Sequence, residues 1–217
     1  MSQTVLRMEK ELKKKVQLNY LLHLPDGYEK GSPKKWPLIL FLHGAGECGD
    51  DIELVKIHGI PKIVEQKPDF PFVAVSPQCP ADSSWNVEQD AVMALVDEIT
   101  AHHNVDSKRI YLTGLSMGGY GTWHLAAEYP GRFAAIAPIC GGGNPKRINE
   151  LKGTPVWVFH GAKDNVVPLA KSEEMVSTLQ ANGGDVKFTV YPDLKHNSWT
   201  TTYDNPELYT WFLSHSI

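Results

Sequence analysis

The sequence predicts an α/β protein with a mostly parallel central sheet and helices on both faces. Short apolar, β-branched runs alternate with stretches of helical periodicity through most of the 217 residues. Several runs are continuously apolar, as in Leu38-Ile39-Leu40-Phe41-Leu42, which marks strands covered on both sides. Glycine or proline punctuates most junctions between them.

Taken in order, Val16 to Leu24 alternates and suits a strand, with Val16, Leu18, Tyr20 and Leu22 on one face. Pro25-Asp26-Gly27 is a turn and Gly31 to Lys35 a loop. Pro37 to Leu42 is a buried strand ending in His43-Gly44-Ala45-Gly46-Glu47-Cys48-Gly49. Ile52 to Gln66 reads as mainly helical, interrupted near Gly59 and Pro61. Phe72 to Ser76 is a strand, followed by Pro77-Gln78-Cys79-Pro80 and Trp85. Glu88 to His102 carries the helical stripe Ala91, Leu95, Val96 and Ile99. Ile110 to Thr113 is a strand. Tyr120 to Tyr129 is a helix stopped by Pro130-Gly131. Strands follow at Phe133 to Ile139, Pro155 to His160 and Val186 to Tyr191. Helices follow at Leu169 to Asn182, ended by Gly183-Gly184, and at Asn205 to His215. With no repeat and no linker, residues 1–217 are expected to form a single catalytic domain.

Apolar content of 42% and charged content of 21% are those of an ordinary globular protein. A formal net charge of −4 does not favour nucleic acid as a partner. The basic run Lys10-Glu11-Leu12-Lys13-Lys14-Lys15 and the pair Lys34-Lys35 lack interleaved aromatics and read as solvated edge or loop charges. No run approaches a membrane span, and Met1 to Lys15 has no signal-peptide core. The compartment stays open: cytoplasmic if Met1 is native, secreted if these residues are a mature domain. Oligomeric state is not legible. Three cysteines make no disulfide framework. Free thiols are favoured over a Cys48–Cys79 bond, which their places after neighbouring strands would permit.

The chemistry centres on Gly114-Leu115-Ser116-Met117-Gly118, a G-x-S-x-G pattern with a strand before it and a helix after it. A nucleophilic serine must stand above a sheet on a turn too tight for side chains on its neighbours. The helix starting there aims free N–H groups at the site. In open α/β sheets, sites form beyond the carboxyl ends of the strands. Two further polar residues follow strands there: Asp164, after Val156 to Gly161, and His196, after Phe188 to Tyr191. His196 is expected to take the Ser116 proton and pass it to the leaving group. Asp164 is expected to orient the imidazole and stabilise its charged form. The backbone N–H groups of Met117 and Ala45, with Gly46 as alternate, are expected to hold the oxyanion.

Other residues are weaker candidates. Asp193 sits too close to His196 along the chain, and Asp185 precedes its strand. His43 and His160 each immediately precede a glycine turn and read as structural. Neither has zinc spacing, and no metal or cofactor is expected. Glu47, Asp50, Asp51 and Glu53 read as a solvated loop. Trp199 and Trp85 are candidate substrate-pocket walls with Gly46, whereas Trp123 reads as core.

The order Ser, Asp, His is that of the α/β-hydrolases. On the segments His43 to Glu47, Pro77 to Pro80, Gly114 to Gly119, His160-Gly161 with Asp164, and His196-Asn197-Ser198-Trp199, the chain resembles the carboxylesterase group of that superfamily. It is most similar to small single-domain esterases related to the phospholipase/carboxylesterase family, polyhydroxybutyrate depolymerases and feruloyl esterases. Many of these relatives are labelled predicted peptidases for their likeness to the prolyl oligopeptidase catalytic domain. The resemblance covers Leu38 to Phe212 and implies an α/β-hydrolase fold and a serine esterase acting on small-molecule or polymer-attached esters. Only Gly141 to Thr154 separates Ile139 from Pro155, too little for the helical cap of lipases and epoxide hydrolases. An open site is therefore expected, favouring short acyl esters or exposed feruloyl, acetyl-sugar or polyester groups.

Two other readings compete. A prolyl oligopeptidase-like serine peptidase would lack the propeller that selects peptides. A catalytically silent binding module would need a lost triad residue. A dienelactone-type hydrolase is disfavoured because it usually carries cysteine at the elbow, where this chain has Ser116.

Overall fold

The computed structural model describes residues 3–11, 13–67 and 69–217. Its seven strands are β1 (Tyr20–His23), β2 (Trp36–Leu42), β3 (Val73–Pro77), β4 (Val105–Leu115), β5 (Ala135–Ile139), β6 (Val156–Gly161) and β7 (Val186–Tyr191). They form one sheet in the order β1-β3-β2-β4-β5-β6-β7. Only β1 runs antiparallel, against β3. The six helices are α1 (Gly59–Gln66), α2 (Gln89–His102), α3 (Met117–Glu128), α4 (Ala170–Ala181), α5 (Trp199–Asp204) and α6 (Pro206–Leu213).

Strand alternation explains the layers. Side chains of successive strand residues point to opposite faces. Leu38, Leu40, Leu42 and Leu112 therefore share one core with Val92, Val96, Trp123, Met175 and Leu179 of α2, α3 and α4. Ile39, Phe41, Tyr111, Trp157 and Phe159 pack on the other side with Ile60 of α1 and with Leu208 and Phe212 of α6. Every residue of β2, β3, β5 and β6 is buried, as the apolar runs require. The edge strand β7 has no fully buried residue: Lys187 and Val190 are exposed and the rest are partly buried.

Register brings the strand ends level. Leu42 pairs with Gly114, Leu115 with Ile139, Ile139 with Phe159 and Phe159 with Thr189. The loops after these strands therefore emerge side by side. The direction of strand progression reverses between β2 and β4, where open α/β sheets leave a crevice.

Several boundaries differ from expectation. The first strand covers only Tyr20–His23. Leu18 still packs on the core, and Gln78 N–H donates to the Asn19 carbonyl at 2.8 Å. Helix α3 begins at Met117 rather than Tyr120, because the tight turn at Ser116 feeds straight into it despite the helix-poor Gly118-Gly119. A six-residue helix, α5, and a 3-10 turn, Pro145–Leu151, occupy stretches to which the sequence pattern assigns no element. That 3-10 turn is the only helix between β5 and β6, and it buries Ile148 and Leu151. The basic stretches are exposed, with Leu12 lying outside the described residues. No described helix is long and apolar enough to cross a membrane.

Candidate active site

The turn at Ser116 is built on close backbone approach. Ser116 has φ 52° and ψ −114°, a strained conformation for a residue with a side chain. A Cβ on Gly118 would lie 1.9 Å from the Leu42 carbonyl oxygen, and one on Gly114 would lie 2.4 Å from the Gly118 oxygen. Only glycine fits at either position, so the turn stays tight and Ser116 is pushed out above the sheet.

The structure brings the three predicted residues together. His196 Nε2 is 2.9 Å from Ser116 Oγ. His196 Nδ1 is 2.7 Å from Asp164 Oδ2. Asp164 Oδ1 accepts the N–H groups of Val166 at 2.8 Å and Val167 at 2.9 Å. The carboxylate is fully buried, which opposes its ionisation. The His196 hydrogen bond and the two backbone donors outweigh that and hold it below the usual carboxylate range. The acid and histidine loops are stitched by Lys163 N–H donating to the Leu194 carbonyl at 2.9 Å. A Cβ on Gly161 would sit 2.2 Å from the Lys195 oxygen, so this contact also requires glycine. Asp193 instead pairs with Lys163 at the surface, at 2.7 Å. Asp185 precedes β7, at the opposite edge of the sheet.

Met117 opens α3 and Ala45 opens a 3-10 turn, so neither N–H has an acceptor within its own helix. A Cβ on Gly44 would come 3.7 Å from Ser116 Cβ, which places this loop against Ser116. Gly46 is exposed on the same turn. The Ala45 turn is clamped from the side by the loop after β3. Gln78 Nε2 donates to the carbonyls of Glu47 at 3.0 Å and Asp51 at 2.7 Å. Cys79 N–H donates to His43 Nε2 at 2.9 Å, while His43 Nδ1–H donates to the Gly44 carbonyl at 2.6 Å. Burial pushes the His43 pKa down to about 4. His43 is therefore structural, as expected, and its partners explain why Pro77-Gln78-Cys79-Pro80 sits where it does.

A cleft of about 370 Å³ is lined by Ser84, Trp85, Asn86, Ser116, Met117 and Tyr120. It adjoins a second of about 320 Å³ that shares Asn86 and Tyr120 and reaches His124, Asn144 and Met175. Trp85 touches this cleft but is almost wholly buried. Its Nε1–H donates to the His43 carbonyl at 2.9 Å, so it chiefly supports the Ala45 turn. Trp199 stands edge-on to His196, with ring centroids 5.3 Å apart, and packs on His58 at 5.4 Å. Trp123 is core.

Other features were not legible beforehand. Asn86 and Tyr120 line the cleft. Cys140, with φ 41°, lies beneath the site, its thiol within 4.8 Å of the Asp164 and His196 side-chain atoms. Burial pushes that thiol up to about 12. Cys48, Cys79 and Cys140 are free. Glu47 corrects the solvated-loop reading: it is 7% exposed beneath the Ala45 turn. Asp51 caps the following 3-10 turn through Glu53 N–H, and Glu53 pairs with Lys56 at the surface.

Three known proteins are similar to this chain. A crystal structure of a thermostable esterase superposes with a TM-score of 0.80 at 35% identity, covering 93% of this chain and 60% of that one. A bifunctional acetylxylan esterase/xylanase of Neocallimastix patriciarum is 30% identical over 64% of this chain and 21% of its own length. Poly(3-hydroxyalkanoate) depolymerase C of Paucimonas lemoignei is 30% identical over 58% of this chain and 31% of its own length. The chain thus spans about a fifth to a third of these two curated relatives. The profile of the Dienelactone hydrolase family matches residues 74–207. The match shows the family, which the sequence reading set aside as an activity because Ser116 stands where such hydrolases usually carry cysteine. With its seven-stranded, mostly parallel sheet in the α/β-hydrolase arrangement, this chain belongs to the dienelactone hydrolase family.

Proposed function

We propose that the protein is a serine carboxylesterase acting as a single catalytic domain through an acyl-enzyme on Ser116. The observation that carries this reading is the continuous hydrogen-bonded run Ser116 Oγ–His196 Nε2 and His196 Nδ1–Asp164 Oδ2 over a strained elbow. Ser116 Oγ attacks the ester carbonyl carbon as its proton passes to His196 Nε2. The carbonyl oxygen becomes an oxyanion facing the N–H groups of Met117 and Ala45, each such donor contributing about 3–4 kcal/mol. The intermediate collapses, the C–O bond to the alcohol breaks, and His196 returns the proton to the departing oxygen. Water then repeats the sequence, releasing the acid and restoring Ser116. Asp164, buried and ionised, stabilises the imidazolium in both halves.

The short segment between β5 and β6 supports an open site, one that takes short acyl esters or exposed ester groups on larger molecules. Feruloyl, acetylated-sugar and polyester groups fit this description. The relatives named for acetylxylan and polyhydroxyalkanoate support the same class.

The test is hydrolysis of p-nitrophenyl esters from acetate to palmitate by the wild type and by Ser116→Ala. The expected result is short-chain activity without a rate jump at the micelle concentration, lost by a factor of about 10⁴ or more in the variant. Activity that survives the substitution overturns the reading. A proline p-nitroanilide cleaved in preference to the esters would move it to a peptidase.

A further inference from the structure

The Asp164 carboxylate accepts more than the catalytic set requires. Besides His196 Nδ1 at 2.7 Å, its Oδ2 lies 3.1 Å from Nε2 of a second histidine, His160. His160 lies on β6, four residues before Asp164, and is completely buried. Its Nε2 is also 2.9 Å from the Val167 carbonyl. Both neighbours of Nε2 are acceptors only, so Nε2 carries a proton and donates it towards them. On the other side of the ring, Nδ1 is 2.8 Å from Ser172 Oγ on α4, which in turn lies 2.9 Å from the Gly141 carbonyl. Gly141 abuts the start of the nucleophile helix, where a Cβ on it would come 2.6 Å from Tyr120 N. A buried run from Asp164 through His160 and Ser172 thus ties the acid loop to the backbone beside Ser116.

We propose that His160 is a positioning residue for the reaction: its Nε2–H orients the Asp164 carboxylate and moderates the hold of Asp164 on the His196 proton. This rests on the reading of Ser116, His196 and Asp164 as the catalytic set. A carboxylate beside an imidazole strengthens the imidazole's affinity for a proton. A general base works best when that affinity lies near the working pH. A second N–H donor on the same oxygen draws charge from it and weakens the effect. Without that donor, Asp164 Oδ2 turns more of its charge on the His196 ring and the carboxylate loses one of its four hydrogen bonds.

The other titratable groups facing this cluster do not compete. The Cys140 thiol at its base is raised by burial to about 12, and burial also raises the Tyr120 phenol on α3. Lys163, Lys171, Glu173 and Lys195 on the adjoining loops and α4 are exposed to solvent.

The experiment compares His160→Leu and His160→Gln by the pH profile of kcat/KM for p-nitrophenyl butyrate from pH 5 to 9, with thermal unfolding of each. Glutamine places an amide N–H near the position of Nε2–H, whereas leucine offers none. His160→Leu is expected to lower kcat about tenfold with KM within about twofold, and to move the acid limb up by about half a pH unit or more. His160→Gln is expected to restore the acid limb and most of the rate. Unmoved acid limbs in both variants, whatever their melting temperatures, overturn the proposal and leave His160 a packing residue. If His160→Leu does not fold, Ser172→Ala takes its place. It frees Nδ1 and lets the ring turn away, so an unmoved limb there is equally fatal. Ser116→Ala is assayed in parallel. Activity surviving in it sinks the catalytic reading and this proposal with it, whereas an inactive Ser116→Ala beside unmoved limbs sinks this proposal alone.

Discussion

The side-chain amide of Gln78 lies 3.0 Å from the backbone carbonyl of Glu47 and donates to it. The same nitrogen reaches the Asp51 carbonyl at 2.7 Å. One buried side chain from the loop after β3 thus holds both ends of the segment that follows the Ala45–Glu47 turn. Under the proposed mechanism the Ala45 N–H must be held still before reaction, so this clamp is expected to affect rate as well as stability.

Gln78→Ala is therefore expected to lower stability by about 2 kcal/mol, since two buried carbonyls lose their donor. It is also expected to lower kcat for p-nitrophenyl acetate about tenfold or more, with KM nearly unchanged. Urea unfolding and steady-state kinetics on the same preparation check both. A destabilised variant with wild-type kcat would detach Gln78 from the oxyanion loop's function.

Two glycines near the site should respond oppositely to alanine. In Gly118→Ala the new methyl would meet the Leu42 carbonyl at 1.9 Å, and neither backbone can yield without opening the elbow. The expected cost is about 3 kcal/mol or more, read as loss of soluble protein or a much lower melting temperature. A Cβ on Gly46 meets nothing within 4 Å. Gly46→Ala should fold and melt like the wild type. Circular dichroism melts of the two variants decide the matter.

His43 predicts a pH dependence of stability. Burial holds its folded-state pKa down to about 4, and the ring donates from Nδ1 and accepts at Nε2, which fits only the neutral form. The unfolded ring takes up a proton below about pH 6.5, whereas the folded one does not until about pH 4. The stability this site contributes is therefore full above about pH 6.5, falls as the pH drops through this window, and levels off below it. The total is about 3 kcal/mol. Burial also lowers His23, His103 and His124, which act in the same direction. Urea midpoints at pH 7.5, 6 and 4.5 should fall steadily in the wild type and less steeply in His43→Gln. Equal slopes would contradict the assignment.

Much of the site was readable because strand-end chemistry is local. Ser116 is marked by two glycines on a turn between a strand and a helix. Asp164 and His196 are each marked by the strand before them. That His196 meets Ser116 across 80 positions follows from parallel strands ending level. The role of Gln78 was not readable, since an amide after a strand says nothing about which carbonyls it will face. His160 had the same ambiguity: histidine before glycine suggested a turn, and the ring does meet the Val167 carbonyl of the following loop, but its contacts with Asp164 and Ser172 were not readable. Helix α5 escaped notice because Trp199-Thr200-Thr201-Thr202 favours strand by propensity. Tertiary packing overrides this preference. Tyr203 is buried edge-on against Phe41, with ring centroids 5.7 Å apart.

The amino-acid sequence by itself determined the alternation of strands and helices, the glycine-bounded turn at Ser116 and the order in which polar residues follow strands. Each of these depends on periodicity or on the steric demands of a few adjacent residues. Only the tertiary structure decided that β4 lies between β2 and β5, that Gln78 and His43 clamp the Ala45 turn, and that two histidines share Asp164 Oδ2. Those relationships join residues distant along the chain. Their partners are chosen by sheet register and by the need of buried donors and acceptors to be satisfied, neither of which is written into any single stretch of sequence.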